Sequence, residues 1–417
     1  MTVNPTRLGE RLAAWGRGLS PAIALLGAMQ FITQVGVSIM LPLLPLYARS
    51  FGATPADLGL MTSANAVAIA IGQLGGGYLV ERVAPRRLVA AGIGVYAGAN
   101  VLLSTAAATA SVIAFRSLAG LGAGVNQVAE RLYVAQAIDR ARLAFANGVL
   151  SAAGSAGSVM GPTVGGLLVG ISDLRLPFLV VAATSSVAAL ASFLLPKPRA
   201  EAPAAARPAP SRSDTSARPA PWLSAGSRLL LTLFAVQTCF QAVFGSVITT
   251  YAVFSQERLG FAAPEVGLVF SAFGLGSIVL GPVLANLADR RGRRNIAILG
   301  AALLLLFPLA FVAELPRVVL YPVSIIGGAG VTAIEASFFA MLADATDGGR
   351  RGRAYGWVTA LSSLGIVGGA AVASTTWQAT GVVGNGLLTT VGWVVATIAF
   401  LMLIPRDRPA EADAGRA

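Results

Sequence analysis

Twelve apolar runs, each near the length that crosses a bilayer, constrain this chain more than any other feature. They fall at about 21–46, 57–80, 88–107, 111–137, 144–170, 177–195, 228–254, 265–288, 296–313, 318–343, 354–378 and 384–404. A helix needs ~20 apolar residues to cross ~30 Å of hydrocarbon. Inside lipid every backbone N–H and C=O must be paired within its own segment, so such runs fold as helices. The expected fold is therefore an all-α integral membrane protein with twelve transmembrane helices in two pseudo-symmetric six-helix bundles.

Charge sets the orientation. Of the 30 basic residues, 25 lie in alternate connections or in the terminal segments, four in the opposite connections (Arg49, Arg175, Arg258, Arg317), and Arg116 within a run. Cytoplasmic loops carry the Lys/Arg excess. The chain is thus expected in the cell membrane as a multi-pass protein with both termini cytoplasmic. The net charge of +12 belongs to these lipid-facing loops rather than to a nucleic-acid surface. The sequence has no histidine and one cysteine, Cys239. That excludes histidine-dependent catalysis, a histidine proton relay and a cysteine metal site. No enzyme activity, cofactor or metal is expected, and any proton handled must ride on a carboxylate.

The expected organisation is a cytoplasmic segment over 1–20, a bundle over 21–195, a linker over 196–227, a second bundle over 228–404 and a tail over 405–417. Leu8, Leu12, Trp15 and Leu19 lie at helical spacing opposite Arg7 and Arg11, a pattern suited to a short interfacial helix or to a simple lead-in to the first span. The linker holds seven prolines among Ala, Ser and Arg and reads as a disordered cytoplasmic connection.

The two halves repeat at a nearly constant offset of 208 positions. Pro55 to Ala64 resembles Pro264 to Ala272, Glu81-Arg82 resembles Asp289-Arg290, and Ala146-Asn-Gly148 resembles Ala354-Tyr-Gly356. Gly157 and Gly161 recur as Gly365 and Gly369. Two six-helix units in parallel imply a pseudo-twofold along the membrane normal with a cavity between them, the geometry of alternating access.

Three patterns carry a family resemblance. The first is Gly77-Tyr-Leu-Val-Glu81-Arg82-Val-Ala-Pro-Arg86-Arg87, repeated in the second half as Ala285-Asn-Leu-Ala-Asp289-Arg290-Arg-Gly292-Arg293-Arg294. A carboxylate at a helix end beside arginines can form a charge-assisted cytoplasmic latch; the alternative is an ordinary positively charged loop. The second is Arg116-Ser-Leu-Ala-Gly120-Leu-Gly122-Ala, an arginine inside a span, where charges face a cavity or a partner. The third is Gly157-Ser-Val-Met-Gly161-Pro162-Thr-Val-Gly165-Gly166-Leu, a small-residue stripe broken by a proline.

Together these patterns resemble the major facilitator superfamily over essentially the whole chain. The third pattern is similar to the antiporter motif of its twelve-span drug:proton antiporters. The resemblance implies proton-coupled efflux of amphipathic small molecules by a monomer, with a small-molecule substrate, protons and membrane lipid as partners. Two departures stand out: the first span holds Gln30 and Gln34 but no acid, and Gln136 stands where many relatives carry an acid near the end of the fourth.

Candidate working residues follow from the short intramembrane inventory. Glu335, about eight residues or ~12 Å from the cytoplasmic end of its helix, is the first choice for the proton carrier, with a static carboxyl as the alternative. Arg116 would sense it. Glu130, beside Arg131, is the weaker candidate and equally suits a structural ion pair. For the substrate cavity, Gln30 and Gln34 have counterparts Gln237 and Gln241, each pair spaced i, i+4 and so on one face. Phe31, Phe240 and Phe244, with Asn126, Gln127 and Trp357, would complete an amphipathic pocket. Amide packing between helices is the alternative reading of the four glutamines. An importer or uniporter of the same family, or a non-transporting membrane receptor, are the rival functions.

Overall fold

The computed structural model describes residues 20–80, 82–138, 140–196, 225–344 and 351–403. The expected interfacial segment, the charged tail and nearly all of the 196–227 linker lie outside the described residues. Within them the chain is helical throughout, with no strand.

The first half runs α1 (Pro21–Ser50), α2 (Pro55–Leu79), α3 (Pro85–Ser104), α4 (Thr109–Ala137), α5 (Arg140–Ile171) and α6 (Leu176–Ala191). The second runs α7 (Ala225–Glu257), α8 (Ala263–Val279), α9 (Gly281–Arg291), α10 (Arg293–Val312), α11 (Arg317–Asp344) and α12 (Arg351–Leu403). These make twelve spans. The eighth is α8 and α9 together, broken at Leu280, because Pro282 has no N–H to continue the ladder. The eleventh and twelfth are joined in α12, which turns at Gly381 with φ +75°, a left-handed conformation glycine adopts without Cβ strain.

Helix starts follow local chemistry. Ser20 caps α1, its hydroxyl accepting from the Ile23 N–H at 3.4 Å, with Pro21 in the first turn. Thr54 and Asp57 form a reciprocal capping box on α2, in which the Thr54 N–H donates to Asp57 Oδ2 at 2.8 Å. The repeat keeps half of this device: at positions 208 residues later, the Ala262 N–H donates to Glu265 Oε2 at 2.8 Å.

The same offset governs packing within the bundles. Gly122 of α4 lies against the Gly92 carbonyl of α3, and Gly330 of α11 against the Gly300 carbonyl of α10. Gly120 faces Asn65 as Gly328 faces Phe273, and Gly157 faces Phe31 and Gln34 as Gly365 faces Thr238 and Gln241. At these points a Cβ would strike a neighbouring backbone, so small residues let the helices approach.

Among the described residues the apolar cores of the two bundles join at one end. At the end away from Pro21 and Leu403, called distal here, one apolar core joins Met40, Leu43, Tyr47 and Phe178 of the first half to Tyr251, Phe254, Phe307 and Phe311 of the second. Toward the proximal end the cores separate. Ile23, Leu26, Leu88 and Tyr133 form one, and Phe240, Leu304 and Trp393 another. Exposed aliphatic side chains such as Leu74, Ile171, Leu190, Val318 and Val395 cover the outside, as a lipid-facing surface requires.

Candidate functional site: a polar cavity in the first bundle

Closure of the distal end repeats across the pseudo-twofold. Gly267 of α8 abuts the Pro162 carbonyl of α5, and the equivalent Gly59 of α2 abuts the Ala370 carbonyl of α12. Polar contacts knit the same seam. The Thr163 hydroxyl donates to Ser271 Oγ (2.7 Å), Thr249 to Thr62 Oγ1 (3.0 Å) and Ser63 to the Val367 carbonyl (3.3 Å). The Arg49 guanidinium pairs with the Glu257 carboxylate. These two residues are themselves 208 positions apart, so one repeat supplies the cation and the other the anion at equivalent helix ends.

Behind this seam lies a cavity of about 710 Å³, partly open to its surroundings. Its lining comes from residues 30–158, all in the first bundle. Of the residues expected from sequence, Gln30, Gln34, Arg116, Asn126, Gln127 and Glu130 line it. Arg116, Gln127 and Glu130 reach it because α4 presents them on one stripe.

Gln30 carries its amide nitrogen toward the Glu130 carboxylate, the orientation that satisfies both groups, donating at 3.0 and 3.2 Å to the two oxygens. Gln34 Nε2 donates to Ser158 Oγ (3.0 Å) and Ser38 Oγ (3.3 Å). Gln127 Oε1 accepts from Gln73 Nε2 at 2.9 Å. Phe31 is half-buried and outside the lining.

The second-half counterparts are placed differently. Gln237 is buried and Gln241 half-buried. Phe240 packs edge-on against Trp393 at 5.0 Å, within its own bundle's core, and Phe244 is exposed. Glu335 is exposed on α11, at the position 208 residues after Gln127. None of these five lines the cavity. The Trp357 side chain lies outside the described residues.

At the proximal end only part of the expected latch is described. Gly77 is exposed, with open space where a Cβ would stand. The Arg82 guanidinium lies over the Tyr78 ring, 4.5 Å from its centroid, and Arg87 is exposed. Arg86 donates to the Leu195 carbonyl at 3.1 Å and the Phe193 carbonyl at 3.4 Å. It thus satisfies free carbonyls just past α6, where a cation also complements the helix dipole. In the second copy Gly292 turns the chain between α9 and α10 at φ +93°, and Arg293 and Arg294 are half-buried. Glu81 and the side chains of Asp289 and Arg290 lie outside the described residues.

The glycine–proline stripe of α5 serves two contacts. Gly157, Gly161 and Gly165 pack against Phe31, Val35, Ile39 and Leu43 of α1, whereas Pro162 and Gly166 face Gly267, Ala263 and Pro264 of the other bundle. The motif therefore belongs to the seam as much as to the first bundle.

Several cavity residues were not anticipated from sequence: Asn65, Tyr96, Asn147, Ser151, Ser155 and Ser158. The small polar stripe Ser151, Ser155, Ser158 at helical spacing was a readable signal. The Arg49–Glu257 pair was also legible, as opposite charges at one repeat position.

Comparison with known proteins agrees with this architecture. The family model described as Major Facilitator Superfamily matches residues 26–263 and 233–416. Multidrug resistance protein MdtG of Escherichia fergusonii is 27% identical over 311 residues, covering 72% of this chain and 73% of that one. The protein of the same name from Salmonella paratyphi C is 28% identical, covering 72% and 74%. Among solved structures, the nucleoside transporter NupG superposes with a TM-score of 0.75 at 14% identity, covering 93% of this chain and 100% of that one. A bacterial homologue of the human lysosomal transporter Spinster, inward-facing and occupied, gives 0.75 at 14% identity, covering 92% and 97%. At these identities the structural likeness speaks to fold.

Proposed function

The chain belongs to the Major Facilitator Superfamily, and on that premise we propose that it exports amphipathic small molecules from the cytoplasm in exchange for protons, by alternating access. The observation that carries the reading is the one-ended seam. Twofold-related contacts close the distal end, while the first bundle carries a polar cavity toward the end where the two inner cores are separate. The arginine asymmetry puts the termini, and so the proximal end, in the cytoplasm. The state described is then inward-open. In the opposite state the distal seam parts, and Gly77, Glu81, Arg82, Arg86 and Arg87 latch the cytoplasmic end together with Asp289, Arg290, Gly292, Arg293 and Arg294. Export rather than import is supported by relatives that bear the name multidrug resistance protein.

For the proton carrier the geometry favours Glu130 over Glu335. Glu130 is the carboxylate in the cavity lining, beside Arg131, and Gln30 donates its amide to both carboxylate oxygens. Protonation from outside would discharge it, and return to the cytoplasm-facing state would release the proton. The test is transport in proteoliposomes under an imposed pH gradient. Glu130→Gln should cut proton-driven flux at least tenfold while Glu335→Gln retains it. The reverse pattern would return the role to Glu335, and flux unaffected by a protonophore in the unmodified protein would favour a uniporter.

A further inference from the structure

The cavity has a chemically distinct inner end. Arg116 lies there, next to the Tyr96 phenol. Tyr96 is 2% exposed and Asn126 7% exposed. The Tyr96 hydroxyl, a group that can donate as well as accept, is buried in the cavity lining without a hydrogen-bond partner. Leaving such groups unpaired costs about 1–3 kcal/mol each. Groups of this kind are retained where a ligand or its water shell completes them.

Charge decides what that ligand carries. The lining holds three charged residues, Arg116, Glu130 and Arg131, so the cavity is net +1, and more positive once Glu130 is protonated. Glu130 stands 14 residues, or about 21 Å, along α4 from Arg116, beyond neutralising reach. Arg116 therefore faces the cavity as a guanidinium with no carboxylate in the lining near it, its rigid fork of donors suited to an oxyanion. An uncompensated cation in a low-dielectric wall attracts an anion strongly.

We propose that Arg116, with the Tyr96 hydroxyl beside it, forms a subsite for the oxyanion group of an amphipathic substrate. The apolar part of the substrate would then run toward Ile69, Ile93 and Val37. This deepens the transport reading by naming a substrate class, and it rests on that reading for its physiological meaning only. The binding chemistry is tested apart from proton coupling.

The probes are 1-naphthylacetate, its neutral amide 1-naphthylacetamide, and the cation 1-naphthylethylammonium, titrated calorimetrically into the purified full-length protein in detergent. The subsite predicts that the acid binds at least tenfold more tightly than the amide, with the ammonium weakest. Arg116→Gln should abolish the preference for acid over amide. Tyr96→Phe, which removes one oxygen and keeps the ring, should reduce it two- to tenfold and serves if Arg116→Gln does not fold. Equal binding of acid and amide, tighter binding of the ammonium, or no binding by any probe would overturn the proposal. So would a preference that survives both substitutions. Anion-selective binding in a protein that fails to couple flux to protons would leave the subsite standing and remove the exchange mechanism instead.

Discussion

Placing a methyl group at Gly59 probes the seam most sharply. A Cβ there would lie 2.8 Å from the Ala370 carbonyl oxygen and 2.6 Å from Ser374 Cβ, inside the ~3.5–4.0 Å optimum for non-bonded carbons. One obstacle is backbone, so relief requires α2 to move away from the eleventh span. Overpacking of this kind costs about 1–3 kcal/mol. The cost falls on the distally closed state alone, because in the opposite state the bundles part at this point. With ~1.4 kcal/mol per tenfold change, Gly59→Ala should shift the equilibrium toward the outward-open state by roughly five- to 150-fold. The assay is labelling by a membrane-impermeant maleimide added outside, at a cysteine in place of Thr163 across the other side of the seam, in a Cys239→Ser background. Labelling should accelerate at least fivefold in Gly59→Ala. Gly98→Ala, where a Cβ meets nothing within 4 Å, should leave it unchanged. Equal rates in all three proteins would refute the claim that this contact holds the outer gate shut.

The Arg49–Glu257 pair makes a smaller contribution to the same closure. Both side chains are about a third exposed, and exposed pairs are worth ~0.2–1 kcal/mol, so Arg49→Glu should raise outside labelling by less than about fivefold, and Arg49→Glu with Glu257→Arg should restore it. Within the first bundle, Gly122→Val would drive a side chain into the Gly92 carbonyl and the Tyr96 backbone; thermal unfolding in detergent should fall by several degrees, whereas Gly94→Val, in open space, should not lower it comparably. Thr54→Ala, by removing one arm of the α2 capping box, should cost about 1 kcal/mol, read as a modest loss of thermal stability with transport retained.

Much of this architecture was legible because duplication writes the fold twice. The 208-residue register found in Gly59 and Gly267, or Gly157 and Gly365, is the same register that pairs their contacts in space. Other features were hidden by the uniform apolarity of the helices. Gln237 is the repeat counterpart of Gln30, and Phe240 lies close by on α7, but the sequence of α7 does not say which neighbour an apolar side chain packs against. Its periodicity gives no indication that Phe240 turns toward Trp393. The break at Leu280 had a local signal in Pro282, overridden by the continuous hydropathy of 265–288. The inner polar cluster is not legible in the sequence, because Asn65 and Tyr96 are single polar residues on separate helices, brought to the cavity that Arg116 lines only by packing of α2 and α3 on α4.

Alternating access requires reciprocal movement of the two ends. Spin labels at Ser50 and Arg258 report the distal end, and labels at Tyr78 and Asn286 the proximal end; all four positions are exposed and each pair is related by the repeat. Double electron–electron resonance in lipid nanodiscs, across a pH titration with and without a transported compound, should show the distal distance lengthening in the population whose proximal distance shortens. Distances that stay fixed, or that lengthen and shorten together at both ends, would contradict a pair of bundles rocking about a central cavity.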